Sequence, residues 1–296
     1  MHPTPQTQEN DMSAARPVTI TEKQVSGYLK PRPKDSHKGM FGTITVIGGT
    51  NGMVGAALLA GRAALKLGAG CVHVGLLADN APAVDVHMPE LMLNSARETL
   101  QSSKPDVLVM GCGLGHSLIA QKLLYDALVL DVPTILDADA LHIIALRPDL
   151  RSALHTRKSP AVFTPHPGEA AHLLACSTAK IQADRVGAVT KLAKKLNGSV
   201  VLKGSGSLCA TSDGKLYINK TGNPGMSSAG MGDVLSGIIA AFIAQGLNAD
   251  EALLLAVYLH GAAGDALAQQ QATLGMSATE VTEWARWLLN RIAPGK

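Results

Sequence analysis

The chain reads NKTGNPGMSSAGMGDVLSGIIAAFIAQ from residue 219 to residue 245, where a glycine-rich polar loop passes directly into an apolar run. The apolar residues recur with the spacing of a buried helical face, which predicts a helix. They are Val234, Leu235, Ile238, Ile239, Phe242 and Ile243. A helix start carries unpaired N–H groups and a partial positive charge, so it suits a phosphate or a developing oxyanion. The stretch therefore predicts an anion-binding loop at the start of a buried helix.

Asp233 stands at the junction between this loop and the predicted helix. An aspartate just before a helix commonly serves as an N-cap, whose side chain accepts a backbone hydrogen bond. The loop is nevertheless richer in glycine than a cap requires, and glycine lets backbone N–H groups approach an anion closely. Its glycines are Gly222, Gly225, Gly230 and Gly232. We therefore favour the hypothesis that Asp233 accepts a proton from a substrate hydroxyl while neighbouring amides hold a phosphate.

The composition indicates a single domain with a large aliphatic core. Of the 296 residues, 46% are hydrophobic, 17% are charged and only 3% are aromatic. A chain of this length can form one α/β domain. The net charge is +3 without a long run of lysine or arginine, which argues against nucleic acid or a membrane surface as partner. We expect small-molecule partners.

Three further features bear on the compartment. Residues 1–16 are polar and lack the apolar segment of a signal peptide, so we expect a loose tail there. The sequence has no uninterrupted run of about 18 apolar residues, which argues against a transmembrane span. Cys71, Cys112, Cys176 and Cys209 lie far apart without CxxC spacing, which favours buried free thiols over disulfides or zinc. The expected location is the cytoplasm.

Short β-rich runs alternate with helical patterns along most of the chain. The strand runs are TITVIGG (43–49), CVHVGLL (71–77), DVLVMG (106–111), PTILD (133–137), AVFT (161–164) and VVLKG (200–204). The helical patterns cover residues 54–67, 117–130, 168–176, 180–197, 249–270 and 278–292, with another from residue 138. This alternation predicts a mostly parallel sheet covered by helices on both faces. Ligands bind beyond the carboxyl ends of the strands in such folds.

Two glycine clusters raise the alternative of a dinucleotide-binding domain. They are GGTNGMVG (48–55) and GCGLG (111–115). Neither has the G-x-G-x-x-G spacing, and no acidic residue ends a strand about 20 positions later. A Rossmann dehydrogenase is therefore disfavoured, although a nicotinamide nucleotide remains possible as a substrate.

Seven segments resemble the NAD(P)H-hydrate dehydratase family, in the same order along the chain. They are KGMFG (38–42), IGGTNGMVGAALLAGRAAL (47–65), GCGLG (111–115), LDADAL (136–141), TPHPGEA (164–170), VVLKG (200–204) and GNPGMSSAGMGDVLSGIIAAF (222–242). The resemblance covers residues 17–293, which we expect to form one domain. It implies a ribokinase-like fold, in which three α/β/α layers surround a mostly parallel sheet.

The resemblance also implies a repair reaction on damaged nicotinamide cofactor. Family members remove water from hydrated NADH and NADPH, that is, (S)-NADHX and (S)-NADPHX, at the expense of a nucleotide. Bacterial members generally use ADP and release AMP and phosphate, whereas eukaryotic members use ATP. We expect ADP and Mg²⁺ here, a homotetramer, and a separate NAD(P)H-hydrate epimerase as functional partner. The alternative function is a small-molecule kinase of the same clan, acting on a hydroxyethylthiazole or hydroxymethylpyrimidine.

Carried over position by position, the family motifs assign roles to individual residues. Asp233 would be the catalytic base. The anion hole would be formed by the amides of Ala229, Gly230, Met231 and Gly232. The nucleotide would contact Lys203, Gly204, Ser205, Gly206, Ser207 and Gly232. The hydrated cofactor would contact Ala56, Ala57, Gly113, Gly115, His166 and Asp233. Glu169 would reach magnesium through water, although His166 stands where clan members have asparagine.

Each assignment has a structural alternative. Lys203 at a strand end is compatible with a solvated charge, and His166 between two prolines with rigid loop structure. The small residues near Gly113 are compatible with helix–sheet packing. Asp139 is a candidate helix cap, and both Asp137 and Asp139 stay outside the catalytic set. His73 and His260 lie in apolar patterns and are assigned to the core or to an interface, not to a ligand site. The small-residue face of residues 252–260 is a candidate oligomer interface.

Overall fold

The computed structural model describes residues 16–271 and 273–294. The predicted tail, residues 1–16, therefore lies outside the described residues except for its last position. The predicted domain, residues 17–293, falls within the described ranges apart from residue 272.

Ten strands form one sheet in the order β1-β10-β9-β8-β7-β6-β5-β2-β3-β4. The strands are β1 (Val18–Thr19), β2 (Thr43–Gly48), β3 (Cys71–Leu76), β4 (Met92–Ser95), β5 (Val107–Met110), β6 (Thr134–Leu136), β7 (Ala161–Phe163), β8 (Ser199–Leu202), β9 (Leu208–Ala210) and β10 (Leu216–Ile218). All neighbouring pairs are parallel except β8 with β9 and β9 with β10. The prediction of a mostly parallel sheet is confirmed.

Helices cover both faces of this sheet. They are α1 (Glu22–Ser26), α2 (Val54–Lys66), α3 (Ala96–Ser102), α4 (Leu118–Val129), α5 (Ala138–Leu146), α6 (Pro148–Thr156), α7 (Pro167–Leu174), α8 (Thr178–Ala183), α9 (Arg185–Leu196), α10 (Met231–Ala244), α11 (Ala249–Gln270) and α12 (Ala278–Ile292).

The sheet separates two hydrophobic cores. In β5, Val107 and Val109 pack with α2, α10, α11 and α12, whereas Leu108 and Met110 pack with α3 to α9. Successive strand residues point to opposite faces, so a continuous apolar run is what a strand covered on both sides requires. The three-layer α/β/α architecture follows from this pattern.

The helix predicted over residues 180–197 is two helices. α8 ends at Ala183 and α9 begins at Arg185. The side chain of Asp184 accepts a hydrogen bond from the N–H group of Gly187 at 2.8 Å, so it caps a new helix instead of continuing the old one. The strands β1, β4, β9 and β10 were not predicted.

The small-residue face of α11 is part of the core, so the prediction that it serves an oligomer interface is wrong. Ala252, Leu253 and Ala256 are 0% exposed, because α10 and α12 pack against this helix. Among the described residues, only α11 has the length and mean hydropathy of a membrane-spanning helix. The sequence did not predict this, because polar residues interrupt the apolar run. Of its most apolar window, 61% is buried inside the fold.

The four cysteines are free within the described part of the chain, as predicted. Cys112 and Cys209 are buried, whereas Cys71 and Cys176 are only partly buried. The expectation that all four are core residues is therefore correct for two of them.

Candidate active site

The start of α10 is open. The helix begins at Met231 after Gly230, which has a φ of 89° and acts as N-cap, and no side chain among the described residues caps it. Asp233 is the third residue of the helix, so the interpretation of Asp233 as an N-cap is wrong. The first N–H groups of α10 therefore keep the donor capacity that the sequence predicted for an anion-binding loop.

The carboxylate of Asp233 lies in a buried polar cluster. Potential ligand atoms of Cys112, Asp137 and Asp233 all lie within 4.8 Å of one another. Burial, reinforced by the nearby charge of Asp137, raises the pKa of Asp233 to about 7. A carboxylate that titrates near neutrality is suited to accept a proton from a substrate and to release it again.

Lys203 forms a buried ion pair at the end of β8. Its Nζ atom donates a hydrogen bond to Asp137 Oδ1 at 2.8 Å, and Ser236 Oγ donates to Asp137 Oδ2 at 2.9 Å. The side chain of Lys203 is 21% exposed and that of Asp137 only 2%, so the interpretation of Lys203 as a solvated charge is wrong. Burial opposes both charges, but their mutual attraction raises the pKa of Lys203 and lowers the pKa of Asp137.

A cavity of about 460 Å³ opens beside this ion pair. Every residue predicted to contact the nucleotide lines it: Lys203, Gly204, Ser205, Gly206, Ser207 and Gly232. A Cβ atom on Gly232 would lie 3.1 Å from Lys203 Nζ, so the glycine brings the first turn of α10 against the ion pair. The cavity is therefore flanked by a cation and by helix N–H groups, which together suit phosphate.

The glycine turns that follow β2 and β5 pack against each other at Cys112 and form a surface, here called the glycine wall, whose residues do not line the cavity. The N–H groups of Gly49 and Thr50 donate to the carbonyls of Cys112 and Gly113 at 3.0 and 2.7 Å. Gly113 has a φ of 62°, and a Cβ atom there would lie 2.6 Å from the carbonyl oxygen of Met53. A larger residue would therefore push the two turns apart.

The structure brings most of the predicted cofactor contacts to this wall. A Cβ atom on Gly113 would lie 3.2 Å from Ala56 Cβ, and Gly115 donates its N–H group to Asp139 Oδ2 at 2.8 Å. Ala57 is 0% exposed and packs in the core, as its structural alternative predicted. Asp139 is not the cap of α5, because Asp137 occupies the N-cap position.

His166 and Glu169 form a capping box at the start of α7. The imidazole of His166 accepts from the N–H groups of Gly168 and Glu169 at 3.0 and 3.3 Å, and Glu169 Oε2 accepts from the His166 N–H group at 2.7 Å. Burial raises the pKa of Glu169 to about 7 although Lys203 lies 3.9 Å away. His166 therefore has a structural role, as the alternative interpretation predicted. The exposed part of its side chain leaves room for a ligand.

Three residues of the site were missed by sequence reasoning. Asp137 was recognised as a strand-end carboxylate but left out of the catalytic set. Only its contact with Lys203 shows that it belongs to the site. Cys112 was assigned to the core on its apolar surroundings, and it is also a neighbour of Asp233. His260 was likewise assigned to the core, yet it lines the cavity. These residues are distant in sequence and meet only in the folded structure. Nothing in the sequence alone indicates that they lie together.

Comparison with known proteins decides between the clan members. The family described as NAD(P)H-hydrate dehydratase matches residues 44–286. The chain belongs to the NAD(P)H-hydrate dehydratase family. Over 281 residues it is 43% identical to the ADP-dependent (S)-NAD(P)H-hydrate dehydratase of Neisseria meningitidis, and the match covers 94% of this chain and 95% of that protein.

Other dehydratase relatives agree with this assignment. The chain is 42% identical to the bifunctional NAD(P)H-hydrate repair enzyme Nnr of Escherichia coli over 92% of this chain, and it spans about half the length of that relative, 52%. The crystal structure of the ADP/ATP-dependent NAD(P)H-hydrate dehydratase of Bacillus subtilis with ATP and Mg²⁺ has a TM-score of 0.84 and 29% identity, with 95% of this chain and 99% of that chain covered. A hydroxyethylthiazole kinase of Pyrococcus horikoshii shares the fold alone, at 16% identity.

Proposed function

We propose that this protein is an ADP-dependent dehydratase that converts (S)-NADHX and (S)-NADPHX back to NADH and NADPH. The observation that carries the proposal is the position of Asp233, which is the third residue of α10 and whose carboxylate lies beside Cys112 at the glycine wall. A substrate hydroxyl at Asp233 and a phosphate at the helix start would then be neighbours. Membership of the dehydratase family supports the same reaction.

The first chemical step is phosphoryl transfer. The hydroxyl oxygen of the hydrated ring attacks the terminal phosphorus of ADP, AMP leaves with the bridging oxygen, and the hydroxyl proton passes to Asp233. The N–H groups of residues 229–232 and the charge of Lys203 stabilise the transferring phosphoryl group. Because these donors are fixed by the fold, they need little reorganisation as the charge develops.

The second step is elimination. Hydroxide is a poor leaving group, whereas phosphate is a good one. The ring nitrogen supplies electrons as the bond between carbon and phosphate oxygen breaks. The departing phosphate then takes a proton from the adjacent carbon, which restores the ring double bond. The products are the reduced cofactor, AMP and phosphate, so one ADP is consumed for each molecule repaired.

Magnesium is proposed to enter together with the nucleotide. Among the described residues, the group of potential ligands that lie close together includes the thiol of Cys112, whereas Mg²⁺ prefers oxygen ligands. The carboxylate of Glu169 already accepts the N–H group of His166. The residues that the structure describes therefore fit no direct Mg²⁺ site, and we propose that phosphates and water would hold the ion while Glu169 would reach it through water.

The remaining expectations also stay proposals. A separate NAD(P)H-hydrate epimerase would supply the reactive epimer, and the cytoplasm, which holds both cofactors, would be the compartment. A homotetramer is proposed, with the exposed apolar residues of α4 as candidate contacts. Leu118 is 82% exposed and Ile119 is 63% exposed. The small-residue face of α11 plays no part, because it is buried in the core.

The test is a coupled assay on the purified protein with hydrated NADH and ADP. We expect ADP to be consumed only when hydrated NADH is present, and absorbance of reduced nicotinamide to return in proportion to the AMP released. The ratio of kcat/KM for ADP to that for ATP should be at least one, because the relative from N. meningitidis is ADP-dependent. Phosphorylation of a thiazole or pyrimidine alcohol, with hydrated NADH left unchanged, would instead establish the kinase alternative.

A further inference from the structure

A buried thiol lies beside the carboxylate of Asp233. Potential ligand atoms of Cys112, Asp137 and Asp233 lie within 4.8 Å of one another. The carboxylate of Asp137 accepts hydrogen bonds from Lys203 and Ser236, at 2.8 and 2.9 Å, whereas the donor beside Asp233 is the thiol of Cys112. Cys112 is 0% exposed. A buried donor next to a reacting carboxylate influences how that carboxylate binds a proton.

The backbone of Cys112 is fixed from two sides. The N–H group of Gly49 donates to the carbonyl of Cys112 at 3.0 Å, and a Cβ atom on Gly48 would lie 2.1 Å from that carbonyl oxygen. On the other side, a Cβ atom on Gly111 would lie 1.9 Å from the carbonyl oxygen of Asp137. Residue 112 is therefore held between the turn after β2 and the end of β6. Its side chain keeps its place in the polar cluster.

The thiol of Cys112 keeps its proton and can therefore act as a donor. Burial, reinforced by the charges of Asp233 and Asp137, raises its pKa well above the ordinary value, and Lys203 opposes this with a smaller effect. A protonated thiol is a weak hydrogen-bond donor, and an ionised carboxylate only accepts. The hydrogen bond between the two groups therefore runs from Cys112 to Asp233.

The groups that face Asp233 act on its proton in opposite directions. Burial raises the pKa of Asp233 to about 7, and the negative charges of Asp137 and Asp139 act in the same direction. The hydrogen bond from Cys112 and the charge of Lys203 lower this pKa. Without the thiol, the carboxyl group would keep its proton up to a higher pH. A base accepts a proton only in its deprotonated form, so the thiol extends the pH range in which Asp233 can act.

We infer that Cys112 is a positioning residue whose thiol donates a hydrogen bond to Asp233 and keeps this carboxylate ready to accept the proton of the substrate hydroxyl. This inference rests on the proposed function, because it takes Asp233 to be the base. It goes further by giving a buried residue of the glycine wall a role in the reaction. The role requires a hydrogen-bond donor at this position, not sulfur as such.

The experiment replaces Cys112 with alanine and with serine. Cys112→Ala removes the donor, whereas Cys112→Ser keeps the shape of the side chain and supplies a stronger donor. The matched controls are Cys209→Ala and Cys209→Ser on β9, because Cys209 is also 0% exposed but burial alone raises its pKa. The measured quantity is kcat/KM for hydrated NADH as a function of pH, which reports the essential groups of the free enzyme.

We expect the acidic limb of the wild-type profile near pH 7. In Cys112→Ala this limb should move to higher pH by roughly 0.5 to 1 unit, the effect of one weak hydrogen bond to a carboxylate. Below the limb, kcat/KM should therefore fall roughly three- to tenfold, whereas the plateau at high pH and the KM for ADP should not change. Cys112→Ser should move the limb to lower pH. Neither Cys209 variant should move it.

Two results would overturn the inference. In the first, wild type and both Cys112 variants dehydrate hydrated NADH with the same acidic limb, so that only the role of Cys112 fails. In the second, both variants move the limb in the same direction, which indicates altered packing and not a changed donor. Should Cys112→Ala not fold, Cys112→Ser decides alone, because a limb that does not move to lower pH rejects the inference.

A titration without turnover separates this inference from the proposed function. The carboxyl group of Asp233 is followed by NMR in protein with isotope-labelled aspartate, and its signal is identified by its absence in Asp233→Asn. Its pKa should rise in Cys112→Ala and fall in Cys112→Ser. An unchanged titration in both variants rejects the hydrogen bond even if the enzyme is active. Shifted titrations in a protein that leaves hydrated NADH unchanged reject the proposed function instead.

Discussion

Two helices begin at the same edge of the sheet, and their first turns are built differently. α7 begins with Pro167, and the imidazole of His166 accepts hydrogen bonds from two backbone N–H groups of the first turn. α10 begins after Gly230 without a side-chain cap from the described residues. The protein itself closes the start of α7, whereas the start of α10 keeps its donors for a ligand.

The two helices also carry a carboxylate at the same position. Glu169 is the third residue of α7 and Asp233 the third residue of α10. Burial raises the pKa of each to about 7. Glu169 nevertheless accepts a backbone hydrogen bond within a capping box, whereas Asp233 lies beside Cys112 and Asp137. Similar pKa values therefore do not indicate similar roles, and hydrogen-bond partners distinguish the capping carboxylate from the one that we propose as the catalytic base.

The largest effect is expected when the acid of the open helix is neutralised. If Asp233 is the proposed general base, Asp233→Asn removes the group that accepts the hydroxyl proton, and kcat should fall by about 10² to 10⁴-fold, the usual contribution of a general base. The affinity for ADP should not fall, because a negative charge near the phosphates has been removed. Turnover and ADP binding are measured on the same preparation.

Glu169→Gln is the matched control, since it makes the same change at the same position of the closed helix. Glutamine still accepts the N–H group of His166, so this variant should retain its capping box. Any loss of activity from the proposed water-mediated contact with magnesium should disappear at saturating Mg²⁺. The comparison fails if Asp233→Asn keeps more than about a tenth of the wild-type rate, which is above what loss of a general base leaves. It also fails if both variants lose activity equally at saturating Mg²⁺.

The second effect concerns the ion pair between the two helix starts. Lys203→Met leaves the carboxylate of Asp137 buried without its cation, and breaking such a pair typically costs about 3–5 kcal/mol of stability. The free energy of unfolding is measured by urea denaturation. The double variant Lys203→Met with Asp137→Leu should lose less than the single variant, because no unpaired charge remains. A single variant as stable as wild type would show that Lys203 does not neutralise Asp137.

The sequence predicted the open helix better than its surroundings. The period of the apolar residues after Asp233 gave the helix, and the glycines before it gave the loop. Both signals are local, because helix periodicity and backbone freedom are properties of neighbouring residues. The alternative interpretation, in which Asp233 is the N-cap, was wrong by three positions, since Gly230 occupies that position.

The rest of the site depends on contacts between distant segments. Asp137 and Lys203 are 66 positions apart. Each lies at the end of a strand, and the residues around one do not indicate that the other is its ion-pair partner. His260 lies in an apolar helical pattern that predicts a core residue, and its place in the cavity follows only from how α11 packs against the Asn219–Thr221 segment. Pairing of this kind is set by tertiary structure, so one sequence does not reveal it.

The third effect is a pH dependence of stability. The pKa of Asp233 is about 7 in the folded protein and near the ordinary 3.8 when unfolded, so between these values the folded state binds more protons. Stability should therefore fall as pH rises from about 4 to about 7, with a slope of at most about 1.4 kcal/mol per pH unit from this group. Asp233→Asn should flatten this fall and melt above wild type at about pH 8. Parallel curves for the two proteins would contradict the raised pKa.

The smallest effect tests the closed helix. His166→Ala removes the side-chain acceptor at the N-cap of α7 and should cost about 1 kcal/mol of stability. His166→Asn should cost much less, because asparagine is among the best N-cap residues. Both variants are compared by thermal melts without ligands, where only the capping role contributes.

The same pair of variants separates the cap from the predicted contact with hydrated cofactor. His166 Nδ1 accepts the backbone hydrogen bonds, and the side chain is 55% exposed. The Nε2 atom, which lies near Glu169, can therefore also contact a ligand. If His166 contacts the cofactor, His166→Asn should melt like wild type yet raise the KM for hydrated NADH by roughly tenfold, the loss of one good hydrogen bond. The KM for ADP should stay unchanged. If the KM for hydrated NADH is also unchanged in His166→Asn, then His166 does not contact the cofactor and serves only as the cap of α7.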